Sequence, residues 1–370
     1  MKKILTVLAA AVFASAFAEP ADTSSAIVRL LNSRAAGSPR AYTESALAVA
    51  KAAEEGRPLQ QFVIAVMSED ADFPREAKIS ESKRQEYFAN SRDRIRQLAE
   101  EKGNSLAWYL LSIEKNDLKL LKRAADGGNV QALNAWGTIT LTEAIRNPGV
   151  DTNNVEKILV KSFGYFKRAA DQGDPNGFYN LGMCHLHGYG CVRNQDLAFE
   201  CFRSAAATGH PEAINNIGGF FRDGIVVEKN LETAVKWFAK SSKMGNAFGQ
   251  LNYALALLRG EGVEKDVKLA ASMLKDAAGQ GNAEAMNAYG MCFSSGSGVD
   301  KDEAEAVKWF VASARLGFPP AMDNLSSCYD LGLGVKKDAS EAMVWKIRGR
   351  AARGDRNAAT WLRQNGHSMR

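Results

Sequence analysis

Apolar residues in the second half of the chain recur at helical spacing. Between Asn282 and Gly317, Ala285, Tyr289 and Phe293 fall every four residues, which predicts the buried stripe of one helix. Ala306, Trp309, Phe310 and Ala314 form a second stripe. The two are separated by Gly296, Gly298 and Val299, and the second is stopped by Gly317. Gly296 stands where a helix ends in a left-handed residue. Asp302 predicts an N-cap for the second helix, with Glu305 completing a capping box. The unit is a helix, a tight glycine loop, a second helix and a glycine turn. Ala285 and Gly290 are small, so a neighbouring helix can approach closely there.

The unit repeats. Gly173, Gly209, Gly245, Gly281 and Gly317 are each 36 residues apart, as are Gly188, Gly224, Gly260, Gly296 and Gly332. Ala198, Ala234, Ala270, Ala306 and Ala342 keep the same period. Gly190, Gly262, Gly298 and Gly334 share a column in which Val226 stands once, and Trp237, Trp309 and Trp345 share another with Cys201 and Met273. Asn194, Asn230, Asp266 and Asp338 supply the cap in the other copies. One such hairpin cannot bury both faces, so the copies must stack. Residues 173–353 therefore read as five well-kept repeats. Residues 41–172 read as divergent helical repeats, one of them extended by about nine residues around Arg146–Glu156. Within 354–370, Arg356–Gln364 reads as a lone closing helix, followed by a tail.

The phased residues of Asn282–Gly317 resemble the Sel1-like repeat (SLR) family, relatives of the tetratricopeptide repeat. The resemblance covers residues 174–353. It implies an all-α, right-handed superhelical solenoid of stacked antiparallel helix hairpins. It further implies a non-enzymatic scaffold or adaptor that binds a protein or peptide, with the first helix of each unit lining the concave face. Some cysteine-rich members are credited with binding or hydrolysing β-lactams. Their paired-cysteine columns here hold Ala206, Ser242, Ala278 and Ala314 on one side and Phe178, Ile214, Gln250, Met286 and Met322 on the other, so that activity is not carried over.

On the concave stripe stand Tyr179, Asn215, Leu251, Asn287 and Asp323, with Met183, Leu255 and Met291 a turn on and Arg222, Leu258 and Asp330 beyond. These are the candidate protein-binding residues. Leu251, Leu255 and Leu258 are apolar where a solvated face should be polar. Either they form a groove for a partner peptide or they are buried between repeats. A neighbouring column of Asn180, Asn216, Asn252 and Asn324, broken by Ala288, suits either a bound peptide backbone or the stacking of repeats. Its recurrence favours stacking.

The start of the chain has a different pattern. Lys2 and Lys3 precede an apolar run from Ile4 to Val12, and Ala16 and Ala18 are small. Residues 1–18 thus read as a secretory signal peptide cleaved before Glu19, and 19–40 as a polar leader with a short helix around Ile27–Leu31. The expected location is periplasmic or extracellular. The apolar run is shorter than the ~20 residues of a membrane span, and no later segment is apolar enough. Without Lys2 and Lys3 the chain holds 45 basic and 42 acidic residues, a balance that argues against a nucleic-acid or acidic-membrane partner. A monomer is expected.

Candidate chemistry changes little. No His-Glu-x-x-His, phosphate loop, Gly-x-Ser-x-Gly elbow or Cys-x-x-Cys occurs, so neither a catalytic residue nor a cofactor site is assigned. The alternative enzyme reading is a hydrolase of cell-wall or β-lactam substrates. Cys184, His185, His187 and Cys191 fall in one repeat with His210 beside it, a soft-ligand set that frames a metal-binding alternative. Against it, Cys184 shares a column with Cys292 and Cys328, as a small apolar core residue would. A disulfide from Cys184 to Cys191 or from Cys191 to Cys201 is the other reading.

Overall fold

The computed structural model describes residues 39–68, 73–146 and 152–367, together with Ile27 and Leu30. The proposed signal peptide, most of the leader, the core of the expected insertion (147–151) and the last three residues lie outside the described residues. All regular structure among the described residues is helical. The chain divides into two compact units, residues 1–213 and 214–370, with the division inside one helix.

In the first unit, α1 (Pro39–Glu54), α2 (Pro58–Met67), α3 (Glu81–Glu100), α4 (Ser105–Lys115) and α5 (Leu118–Asp126) pack consecutively. They are followed by α6 (Val130–Arg146), α7 (Thr152–Asp171), α8 (Pro175–His187) and α9 (Gln195–Ala207). One core runs from Val49 and Phe62 through Ile95, Tyr109 and Leu133, and it also takes in Ile27 and Leu30 of the leader. Between Gly103 and Gly128 the two helices are joined directly: Asn116 takes a left-handed φ of 50°, and Asp117 caps α5 at once.

α10 (Pro211–Asp223) carries the division. The second unit continues with the hairpins α11 (Leu231–Lys243), α12 (Ala247–Arg259), α13 (Val267–Gly279), α14 (Ala283–Ser295), α15 (Glu303–Arg315), α16 (Pro319–Leu331) and α17 (Ala339–Ala352). It closes on α18 (Arg356–Gln364). First helices α8, α12, α14 and α16 each end in a glycine with φ near 70–77°, the left-handed stop that the glycine column predicts. Val226 departs from the loop-glycine column and holds φ 67° as a β-branched residue, a conformation that costs about 1–2 kcal/mol.

The capping box forms by half. Asp302 Oδ1 accepts from the Glu305 N–H at 2.9 Å, but Glu305 turns to Lys308. The Asp302 N–H instead donates to the carbonyl of Phe293 at 3.0 Å. The same bond joins Asn194 to His185, Asn230 to Phe221, Asp266 to Leu257 and Asp338 to Tyr329. Each cap is thereby tied to the first helix of its own hairpin, and the glutamate has no donor left to satisfy.

Within a hairpin the helices touch at a glycine. A methyl group on Gly290 would lie 2.8 Å from Cε1 of Phe310; at Gly182 and Gly218 it would meet Phe202 and Phe238 at 2.7 and 2.6 Å. Where the ring is replaced by Leu274, the glycine is replaced by Ala254. Gly137 and Phe166 show the same contact in the extended repeat. Overpacking such a site costs ~1–3 kcal/mol, partly offset by the helix preference of alanine. Gly290→Ala should therefore lower stability by about 1–2 kcal/mol. Adding Phe310→Leu should recover part of that loss, because the double variant reproduces the Ala254–Leu274 pair. Denaturant midpoints of the two single variants and the double variant check this. Simple additivity would show that ring and glycine are not coupled.

Candidate protein-binding surface

The residues expected on the binding face fall into three environments. Asn215 and Asn287 bridge adjacent first helices. Asn252 Nδ2 donates to Asn215 Oδ1, and Asn324 Nδ2 donates to Asn287 Oδ1, both at 2.8 Å. In the first unit Asn180 donates to Asn134 at 3.2 Å in the equivalent position. Where the acceptor column holds Leu251, the donor column 37 residues on holds Ala288, and both are buried in one apolar cluster. At that junction both partners are apolar, and at the others the asparagine column serves stacking.

The leucine strip is the second environment, and its first residue answers to the buried alternative. Leu251 is only 3 % exposed and sits among Ala254, Leu257 and Tyr289. Leu255 and Leu258 are half-buried against the same cluster. Leu251 is core because its neighbour across the junction, Ala288, offers no donor for a polar side chain. In the first unit Tyr179 is half-buried and stacks on the His210 ring at 4.6 Å. Met183 is half-buried as well.

Arg222, Asp323 and Asp330 remain at the surface. Arg222 pairs with Asp223 at 2.7 Å and reaches Asn252 at 3.4 Å, and the Asp223 contact holds its guanidinium above its ordinary value. Asp323 takes an ion pair from Arg353. Met291, expected on this stripe, is 54 % exposed on α14, whereas sequence reasoning missed Leu331, 63 % exposed at the end of α16. Met291 was legible one turn beyond Asn287, because its column holds Gly219, Leu255 and Ser327 in other copies. A core position would not accept that range.

The soft-ligand constellation comes apart. Cys184 is fully buried, and burial pushes its thiol up to about 12. Cys191 Sγ lies 3.6 Å from His185 Nδ1, and burial raises the thiol and lowers the imidazole. His187 stacks on Tyr189. Among the described residues no three His, Cys, Asp or Glu side chains gather as a metal site, and all five cysteines are free thiols rather than either disulfide considered. The tryptophan column is packing: Trp309 meets Tyr289 edge-on at 5.1 Å. Met273 of the same column receives the Ser242 hydroxyl at 3.3 Å from the preceding second helix.

A family model, the Sel1 repeat, matches residues 155–174, 179–210, 211–246, 247–282, 283–318 and 319–345. The chain belongs to the Sel1 repeat family. A Sel1 repeat protein from Oxalobacter formigenes is 30% identical, with 61% of this chain and 89% of that one covered and a TM-score of 0.53. A protective antigen of uropathogenic Escherichia coli with an SLR fold is 25% identical, with 86% of this chain and 67% of that one covered and a TM-score of 0.52. No curated protein matches the chain. Sel1 repeat proteins are in general non-enzymatic scaffolds that bind other proteins. The model begins at residue 155, so it takes in the second helix of the extended repeat as well as the copies phased by glycine.

One cap in this Sel1 array is electrostatically exposed to pH. Asp174, 2 % exposed, caps α8 through the Gly177 N–H at 2.6 Å and accepts from Asn134 Nδ2 at 2.7 Å. Burial raises its carboxyl to about 6, and Asn246 and Asn282 fill the same cap in later repeats. A raised carboxyl favours the fold below about pH 4, and that contribution is lost as pH rises through 6. His210, lowered by burial with Glu212 opposing, runs the other way: its contribution is present above 6.5 and lost as pH falls. Asp174→Asn removes the first term alone. The stability difference, variant minus parent, should grow by about 2–3 kcal/mol between pH 4 and pH 7.5. Denaturant unfolding at the two pH values measures it, and a constant difference would mean that Asp174 is charged throughout.

Proposed function

We propose that this Sel1 repeat protein is a non-enzymatic scaffold, exported through a signal peptide at residues 1–18, that holds a protein or peptide partner on its first helices. One observation carries the reading. In residues 214–370 the Asn215–Asn252 and Asn287–Asn324 bonds hold adjacent first helices in register. The same helices expose Arg222, Met291, Asp323 and Asp330, none of which belongs to an apolar core cluster. A rigid row of helices with non-core side chains standing off it is the arrangement in which repeat proteins recognise extended surfaces. An exposed methionine on that row fits a packed interface centre.

Photo-crosslinking tests this directly. A benzophenone amino acid at Met291 should give a discrete protein adduct in cells, recovered from the extracytoplasmic fraction with a chain that begins at Glu19. The same group at Lys308, exposed on a second helix, should give little. Equal labelling from both positions would refute a first-helix site, and an adduct confined to the cytoplasm would refute export.

A further inference from the structure

The formal net charge of the whole chain is +5. Residues 336–367 alone hold eight Lys and Arg against three Asp and Glu, which is also +5. The rest of the chain sums to zero. A balanced total therefore conceals one strongly basic end.

The basic side chains at this end stand on two neighbouring helices. Lys346, Arg350 and Arg353 fall at intervals of four and three along the exposed side of α17, with Met343 at the head of the stripe, 54 % exposed. Arg356 and Arg363 are seven residues apart on α18 and both exposed, so they share a face. Arg350 reaches Asp355, the N-cap of α18, with Nε at 3.0 Å and Nη2 at 2.7 Å. Arg353 reaches back to Asp323 of α16. These two bonds draw α16, α17 and α18 together at one place. Arg348 lies over the Trp345 ring at 4.4 Å. Arg363 falls 36 and 72 residues after Ser327 and Met291, so it continues the column of the proposed binding face.

We propose that this end of the second unit binds an acidic segment of a protein partner, with carboxylates meeting Lys346, Arg356 and Arg363. The proposal rests on the protein-binding reading and adds the chemistry of the partner. Carboxylate is favoured over a lipid surface on two grounds. Five of the eight basic residues are arginine, whose planar fork matches carboxylate geometry. Arg350 and Arg353 already hold carboxylates of this chain. Arg356 and Arg363 carry the same fork beside them without an acidic partner.

Fluorescence anisotropy with a short labelled Glu/Ser peptide and its Gln/Ser counterpart tests the proposal on the full chain. The Glu peptide should bind, weaken as salt rises, and lose about tenfold in affinity in Lys346→Glu/Arg356→Glu/Arg363→Glu. A control with the same change in net charge on second helices, Lys236→Glu/Lys243→Glu/Lys275→Glu, should lose about twofold or less. Circular dichroism verifies folding, and Arg356→Gln/Arg363→Gln is the milder variant if the first unfolds. Equal losses in both triple variants would overturn the proposal, since attraction would then follow net charge alone. So would binding to phosphatidylglycerol vesicles without binding to the peptide. If the C-terminal variant keeps the peptide while Met291 still crosslinks a partner, the acidic-segment proposal falls and the scaffold reading stands. If peptide binding follows the C-terminal charges and Met291 crosslinks nothing, the scaffold face falls and the basic end remains.

Discussion

The approach of the two helices within each hairpin governs everything else in this protein. At Gly182, Gly218 and Gly290 the first helix comes so close to its partner that an added methyl would lie under 3.0 Å from a phenylalanine ring. The ring occupies the space that the missing side chain leaves. Protein interiors are packed as densely as crystals of small molecules, so glycine and ring can change only as a pair. Ala254 opposite Leu274 is such a paired change. A second close approach joins one hairpin to the next. In the second unit the loop glycines Gly262, Gly298 and Gly334 lie so near Leu231, Val267 and Glu303 that a methyl would come within 2.0–2.5 Å of backbone atoms. These residues open the second helix of the preceding hairpin.

Close packing brings hairpins together but does not fix how far one slides along the next, because apolar contact is non-directional. Directional bonds supply the register. The cap-to-first-helix bond from Asp302 to Phe293 recurs in every well-kept copy and sets the turn inside the hairpin. The asparagine pairs set the step between hairpins. One junction places Leu251 against Ala288 in an apolar cluster instead. Isosteric exchange of both polar partners for apolar ones can be nearly neutral, whereas loss of one would leave a buried group unsatisfied. That asymmetry is why Leu251 and Ala288 are both apolar.

Most of the fold was legible in the chain itself. The 36-residue glycine columns, the stop glycines and the closing helix at Arg356–Gln364 all follow from local rules, because a left-handed residue or an N-cap acts within one turn. The Gly–Phe pairing was also written in the sequence, in the Ala254–Leu274 exchange, although it requires two columns to be read jointly. The candidate site was less legible, for a geometric reason. A first helix here is buried against its own second helix and against neighbouring first helices. A fraction of a turn decides on which side of that boundary an apolar residue such as Leu251 falls. Glu305 was misread for a related reason: its cap partner was already satisfied by Phe293, nine residues back, which a local motif does not reveal.

Charge is read wrongly when it is averaged over an array. Screening limits the reach of exposed charges to about 10 Å at moderate salt, whereas the positions of a repeat protein are spread along many hairpins, each touching only its neighbours. A partner therefore meets the charge of one or two repeats, never the total. The near balance that argues against nucleic-acid and acidic-membrane partners describes the chain as a whole and no particular surface of it. At the closing helix the relevant quantity is the local one, where Lys346, Arg356 and Arg363 stand on exposed positions and the acidic residues Asp323 and Asp355 are already bound to Arg353 and Arg350. The capping function of α18 needs only its buried face, Ala358 and Leu362. Its outer residues are not required by the fold, and a basic outer face there adds nothing to stacking that neutral side chains would not.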